Sequence, residues 1–479
     1  MKLWQIAVAA LACAGVAGCR TTKDVLDDYE ASLSTGAYDA STREVLELAE
    51  KRDDSQLLYR LLAGSALHLC DNRGAAVSQF DRAEEIFARN DGTSVFAQGA
   101  QGGLAMMTND RAFPYEGGGS DRVFCCLYKA IDFMADGKME GARTELNRVT
   151  QHQENWIAER RHDIDAAAEK MQSDVAAYQR QKNVQVQDHS ATVNGALANG
   201  DFAAQIQQNT GYNPATSGNL ETLSRFDYFN AYASHVTGIF RWLDGDGGTS
   251  ALKATVGVRP NSPGLARDLA DCEKGRPVNQ VWIWVEDGLC PAREEWRFDL
   301  PLILMPFVRH YLPYVGMALP VLRERAYGAT SWSVVAGGQS APMGELENVD
   351  HLVRTEYDVY MRGALAREIT RCVVKASLQV ALGVTAENVS DRNTQLALKI
   401  SQMGVAAWAA TTVAADLRSW TSLPKRVMAM RLTRPDDGNI QVVADGQTIP
   451  LQLPAGNSMV FVRKTAPSAG PVVKSVTFQ

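Results

Sequence analysis

Gln280-Val-Trp-Ile-Trp-Val-Glu-Asp-Gly288 is the stretch at which this chain changes its period. Val281 to Val285 are all β-branched or aromatic, and Glu286-Asp287-Gly288 follows with turn residues, so the stretch predicts a strand and not a helix. Before it, apolar residues recur at helical spacing; after it, short runs alternate with a period of two. The reading is α+β: a helical half over about 29–250, then a β-rich half over 251–479.

Downstream, strands are expected at Trp296–Leu302, Tyr314–Leu319 and Ser331–Val335. Two long helices then intervene, Val349–Ala381 and Asp391–Asp416, and form a helical hairpin inserted at about 349–416. Arg354, Arg362, Arg367 and Arg371 on the first of them read as a solvated basic flank. Strands resume at Arg426–Leu432, Asn439–Ala444, Gln447–Leu453 and Ser458–Arg463, with Asp437-Gly438, Asp445-Gly446 and Ala455-Gly456 as turns. The alternation of Ile449, Leu451 and Leu453 implies one buried face, and the whole reads as a β-sandwich-like domain interrupted by the hairpin. At the junction, Trp420 and Pro424 are expected to lock hairpin to sheet, with Asp416 and Arg418 as an internal ion pair.

Upstream, Gln56–Cys70 and Ala75–Ala88 form a helix pair with the small-and-aromatic pattern of a tetratricopeptide-like repeat: Gly64, then Ala76, Phe80 and Ala83. A small residue at Gly64 lets the paired helix approach, and Phe80 fills the gap between repeats. A second copy carries Ala130, Gly137, Ala142 and Leu146, and a weaker one turns at Gly36-Ala37-Tyr38 with Val45 and Leu48 behind it. Corresponding positions recur at about the 34-residue period of such solenoids. Arg111–Ser120, with three consecutive glycines and no following Lys-Ser/Thr, is a connection into a helix capped near Ser120-Asp121; a ligand-facing loop is the alternative. One long helix is expected from Met139 to about Asn183, a poorly ordered polar crossover over Gln185–Asn219, and a further helix from Arg225 to Leu243.

At the N-terminus, Lys2 and the apolar run Ile6–Val16 lead to Val16-Ala17-Gly18-Cys19, the grammar of a signal peptide over residues 1–18. Cys after Ala-Gly resembles the lipobox of bacterial lipoproteins, which implies lipidation at Cys19, followed by a polar tether over 19–28. Arg20, by the same analogy, favours the outer membrane facing the periplasm. The apolar run is shorter than the ~20 residues of a spanning helix.

A formal net charge of -7 and no balancing basic block argue against nucleic acid as a partner. Of six cysteines beyond Cys19, Cys272 and Cys290 flank the strand at 280–285 and are the candidate disulfide, while the others read as buried thiols. No CxxC, HExxH, GxSxG or nucleotide fingerprint is present, so neither a metal, a cofactor nor a catalytic group is assigned. Glu286 and Asp287 are adjacent on a strand and point to opposite faces, which bars them from acting jointly as acid and base.

Pro114-Tyr-Glu-Gly117, Tyr128-Lys-Ala130, Asp136-Gly137, Ala142-Arg143 and Phe229-Asn-Ala-Tyr-Ala233, with Val285-Glu-Asp-Gly-Leu-Cys-Pro291 and Ala415-Asp-Leu-Arg-Ser-Trp-Thr-Ser-Leu-Pro424, resemble the motifs of a family of largely uncharacterised bacterial lipoproteins. The resemblance covers most of the chain after the anchor. It departs at Cys290, where the family has a small residue, and in the length of the stretch 185–219. It implies a repeat-like helical N-terminal half and a C-terminal β-rich domain, carries no catalytic residues, and offers cell-wall synthesis as a context. The functional expectation is a non-enzymatic, membrane-anchored scaffold binding envelope proteins through the concave face between Leu58 and Leu146. The alternatives are a structural subunit of an outer-membrane or secretion assembly, and a cell-wall-acting enzyme.

Overall fold

Alternate side chains of β1 (Gln280–Asp287) enter two different cores, which is why no polar residue interrupts Val281–Val285. β1 runs parallel to β10 (Asn457–Lys464) and antiparallel to β7 (Arg426–Thr433). β11 (Val472–Phe478) and β6 (Gly344–Asn348) complete this sheet in the order β11-β10-β1-β7-β6. Val281, Ile283 and Val285 share a core with Trp332, Val334, Ile440, Val442, Ile449 and Leu451 of a second sheet. Its strands β4 (Trp332–Ala336), β5 (Gln339–Pro342), β8 (Asn439–Ala444) and β9 (Gln447–Gln452) lie in the order β5-β4-β8-β9. Asp445 and Gly446 both take positive φ, 47° and 84°, so the β8–β9 hairpin closes through the left-handed turn that suits the twist of its strands. The computed structural model that shows this describes residues 21–51, 54–92, 109–182, 190–299 and 316–478. Cys19 and the signal segment lie outside the described residues, as do the ends of two expected strands over 300–315.

The other face of the first sheet, with Trp282, Trp284, Met459 and Phe461, packs on a helical layer. That layer begins with α1 (Thr22–Thr35), α2 (Tyr38–Lys51), α3 (Gln56–Leu69), α4 (Arg73–Gly92), α5 (Gly119–Ala135) and α6 (Met139–Lys182), each packed on the next. Gly64 on α3 meets Phe80 on α4 so closely that a Cβ there would stand 2.5 Å from the ring, as the small-residue argument required. The segment expected to be a tether is instead the start of α1. Thr21 and Asp24 cap it reciprocally, and Val25, Leu26, Tyr29 and Leu33 bury one stripe, which holds the chain from residue 22 onward in the core. The helical part also runs past residue 250: α9 (Arg225–Tyr228) and α10 (Ala231–Asp244) are followed by α11 (Thr249–Val258) and α12 (Pro263–Cys272) before β1 begins.

A third core forms around the inserted hairpin, α13 (Val349–Asn388) with α14 (Arg392–Thr412). Met317, Leu319, Tyr357, Ile369 and Val373 meet there, with the stacked Trp296 and Phe298 at its edge. These come from α13 and from β2 (Ala292–Asp299) paired with β3 (Gly316–Arg323). The crossover expected over 185–219 contributes to this core: α7 (Ser190–Ala198) and α8 (Gly200–Thr210) insert Val193, Phe202 and Ile206. Asn199 caps α8 by accepting from the Phe202 amide at 2.9 Å. The polar composition of the stretch hid three apolar residues at helical spacing that suffice to dock two short helices. Of the four arginines expected to form a solvated flank, Arg362 is exposed and Arg354 half-exposed, but the other two differ from the expectation. Arg367 and Arg371 are buried at 11% and 2% side-chain exposure because Asp110, from a distant loop, neutralises both.

Candidate functional site

The segment between α14 and β7 ties the three cores together. The Asp416–Arg418 ion pair forms at 2.8 Å. Arg418 also donates to the Asp54 carbonyl at 2.7 Å and the Asp110 carbonyl at 3.2 Å, which pins the helical layer to the β part. Burial opposes ionisation of Asp416, yet the Arg418 guanidinium wins and holds its carboxyl below the usual range. Trp420 is buried, donates to Ser65 Oγ at 2.8 Å and lies 6.0 Å from the Phe80 ring and 6.1 Å from Tyr128. Pro424 is buried between two backbone bonds, Cys290 N to Leu423 O at 2.9 Å and Lys425 N to Asp287 O at 3.0 Å. These four residues do form a junction, between hairpin, sheet and helical layer at once.

The same segment forms one wall of a cavity of about 480 Å³. A second wall is the loop Phe113–Gly118 with the start of α5, a third is α13 from Val353 to Arg367, and Asp110, Arg160, Cys290, Pro291, Arg293 and Leu322 complete the lining. Three of the stretches that carry the lipoprotein resemblance, 114–117, 290–291 and 416–423, therefore converge here although they are far apart in sequence. The volume lies within the ~300–1,000 Å³ of small-molecule sites, and the lining mixes aromatic rings with a few charges, as such sites do.

Four of those charges, Asp110, Arg367, Asp416 and Arg418, are paired within the protein. Asp110 pairs with Arg367 and with Arg371, the latter at 2.5 Å, and accepts from the Tyr360 hydroxyl at 3.1 Å. Burial would raise its carboxyl, but the two guanidiniums hold it far below the ordinary value. Asp121 differs. Its Oδ2 accepts from the Tyr115 hydroxyl at 2.7 Å and the Gly118 amide at 2.9 Å, so it caps α5 from the third helical position and not from the N-cap itself. Burial, reinforced by the neighbouring Glu356 carboxylate, pushes it up to about 6. Glu356 accepts from the Ser120 amide at 2.5 Å and the Trp156 indole at 3.4 Å. Arg293 lies over the Tyr360 ring at 4.6 Å. Sequence reasoning missed Asp110, Asp121 as an acid, Arg293 and Glu356: each is a common charged residue whose significance comes only from what faces it.

The remaining expectations place as follows. Glu286 and Asp287 do point apart: Glu286 receives the Tyr128 and Tyr232 hydroxyls at 3.2 and 3.0 Å, while Asp287 binds Arg426 at 2.9 Å and the Ala329 amide. Cys272 and Cys290 are not joined. Cys290 Sγ is buried against the Trp420 carbonyl at 3.6 Å, and Cys272 Sγ sits by Thr249 Oγ1 at 3.7 Å, so the two thiols end in separate surroundings. Glu84, Cys126 and Glu145 lie within mutual reach of a small cation. The Lys129 ammonium already fills that role, bridging Glu84 at 2.7 Å, Asp81 at 2.8 Å and Glu145 at 2.9 Å. Leu58 and Leu146 are fully buried, so the face expected to receive partners is occupied by the protein's own core. No family model, curated protein or solved structure matches this chain.

Proposed function

We propose that the chain is a lipid-anchored interaction scaffold of the bacterial cell envelope, held at the membrane through Cys19 and built on a tetratricopeptide-like helical layer fused to a β-sandwich-like part. The close Gly64–Phe80 approach supports the repeat reading of α3 and α4. Since the inner face of that layer is filled, partner binding moves outward, and the observation that carries this is the row Leu396, Ile400 and Met403. These residues recur at i, i+4 and i+7 on α14 and are 58%, 56% and 67% exposed. Burying one such side chain fully is worth about 1.5–3 kcal/mol, which a docked partner recovers.

The test is affinity purification from membranes after mild in-cell crosslinking, comparing the native chain with Cys19→Ala and with an Ile400→Glu/Met403→Glu double variant. The scaffold reading expects discrete envelope proteins with the native chain, lost in both variants, and Cys19→Ala in the soluble fraction. Persistence of Cys19→Ala in the membrane fraction removes the anchoring claim. Recovery of the native chain alone removes the scaffold claim, and a fixed-stoichiometry complex insensitive to the α14 row favours a structural subunit.

A further inference from the structure

Asp121, Glu356, Arg293 and Arg362 line the junction cavity and make no ion pair among the described residues. Every other acid–base contact described above in this lining, Asp110 with Arg367 and Asp416 with Arg418, is closed within the protein. The positive end of α5 faces Asp121 and Glu356, but a helix N-terminus offers only about half a unit charge against two carboxylates. Arg293 is close enough to Asp121 and to Asp416 to hold both carboxyls lower but makes no ion pair with either, and its guanidinium lies over the Tyr360 ring. The cavity thus presents carboxylates at Asp121 and Glu356, with Arg160 donating to the nearby Gly117 carbonyl at 3.4 Å, and guanidinium groups at Arg293 and Arg362, with Tyr115, Tyr357 and Tyr360 in the same lining.

Asp121 is buried and Glu356 and Arg293 are half-buried, so carboxylates and guanidiniums open to one cavity favour a partner that carries both signs. We infer that this cavity binds a zwitterionic small molecule, an amino acid or short peptide with a free ammonium and a free carboxylate. Its carboxylate meets Arg293, whose planar fork suits bidentate recognition. Its ammonium meets Asp121 and Glu356, and its side chain lies against the tyrosine rings. The site is separate from the α14 row on which the scaffold reading rests, and either one stands without the other.

Isothermal titration of the full chain with L-phenylalanine and with alanyl-phenylalanine tests this, alongside the N-acetyl and C-terminal amide form of each. The free forms are expected to bind and each blocked form to bind at least about tenfold more weakly, since a hydrogen bond to a charged group is worth about 1.5–3 kcal/mol. In Arg293→Met the free and amidated ligands are expected to bind alike, whereas the penalty for N-acetylation persists. Binding of neither free ligand, equal binding of free and blocked forms, or displacement of bound ligand by inorganic phosphate at like concentration overturns the inference. If Arg293→Met fails to fold, the comparison of free with blocked ligands on the native chain still decides it.

Discussion

Replacing Gly64 by alanine adds one methyl group to a helix contact that has no room for it. The new Cβ would lie 2.5, 2.7 and 2.8 Å from three carbons of the Phe80 ring, where carbon pairs rest at about 3.5–4.0 Å. The ring must give by about 1 Å, yet Phe80 is fully buried and faces Trp420 at 6.0 Å and Tyr128 at 6.3 Å. Overpacking of this kind costs about 1–3 kcal/mol. Alanine returns up to about 1 kcal/mol of helix propensity. Gly74 on α4 isolates the second effect, because nothing approaches its Cβ position. Urea unfolding of Gly64→Ala and Gly74→Ala is expected to separate them by about 2 kcal/mol, with Gly64→Ala the less stable. Adding Phe80→Leu to Gly64→Ala should recover part of its loss although Phe80→Leu alone destabilises, the non-additivity of residues in contact. Equal stability of the two alanine variants, or strict additivity with Phe80→Leu, would refute the close-approach account.

Lys129→Met strips the shared cation from Glu84, Glu145 and Asp81 and is expected to destabilise by about 3–5 kcal/mol in denaturant, far more than removal of a surface lysine such as Lys253. Glu347, fully buried beside Arg259, is pushed up to about 7 by burial, with Arg259 opposing. A carboxyl raised in the folded state favours folding while protonated, so its contribution is complete below the unfolded value near 4.5 and is lost as pH rises through about 7. Stability followed across that window should fall less steeply in Glu347→Gln; an unchanged slope would show that Glu347 is not the titrating group. Because Cys70, Cys125, Cys126, Cys272, Cys290 and Cys372 are all free, reductant should leave the melting temperature unchanged, and thiol titration of the denatured chain without reductant should find all six.

The secondary structure was legible where one period dominated over many residues. Val281–Val285 reads as a strand from local composition alone, and the hairpin helices were placed because their patterns run for 40 and 21 residues. The close packing of Gly64 on Phe80 was readable because only a small residue permits that approach. Local pattern failed where a few apolar residues sit among polar ones, as in α7 and α8, and where charged residues look solvated until their counter-charge is known.

What the sequence by itself determined is thus the place of the long helices and of most strands, and the types of residue at turns and close helix contacts, because each rests on neighbours within a turn or two of backbone. The tertiary structure alone decided that Arg367 is buried with Asp110, 257 residues away, that Asp416–Leu423 lines a cavity as well as locking a joint, and that Arg293, Asp121 and Glu356 line the same cavity. Charges acquire their energies from what surrounds them, and those surroundings come into being only when the helical layer, the hairpin and the sheets close on one another.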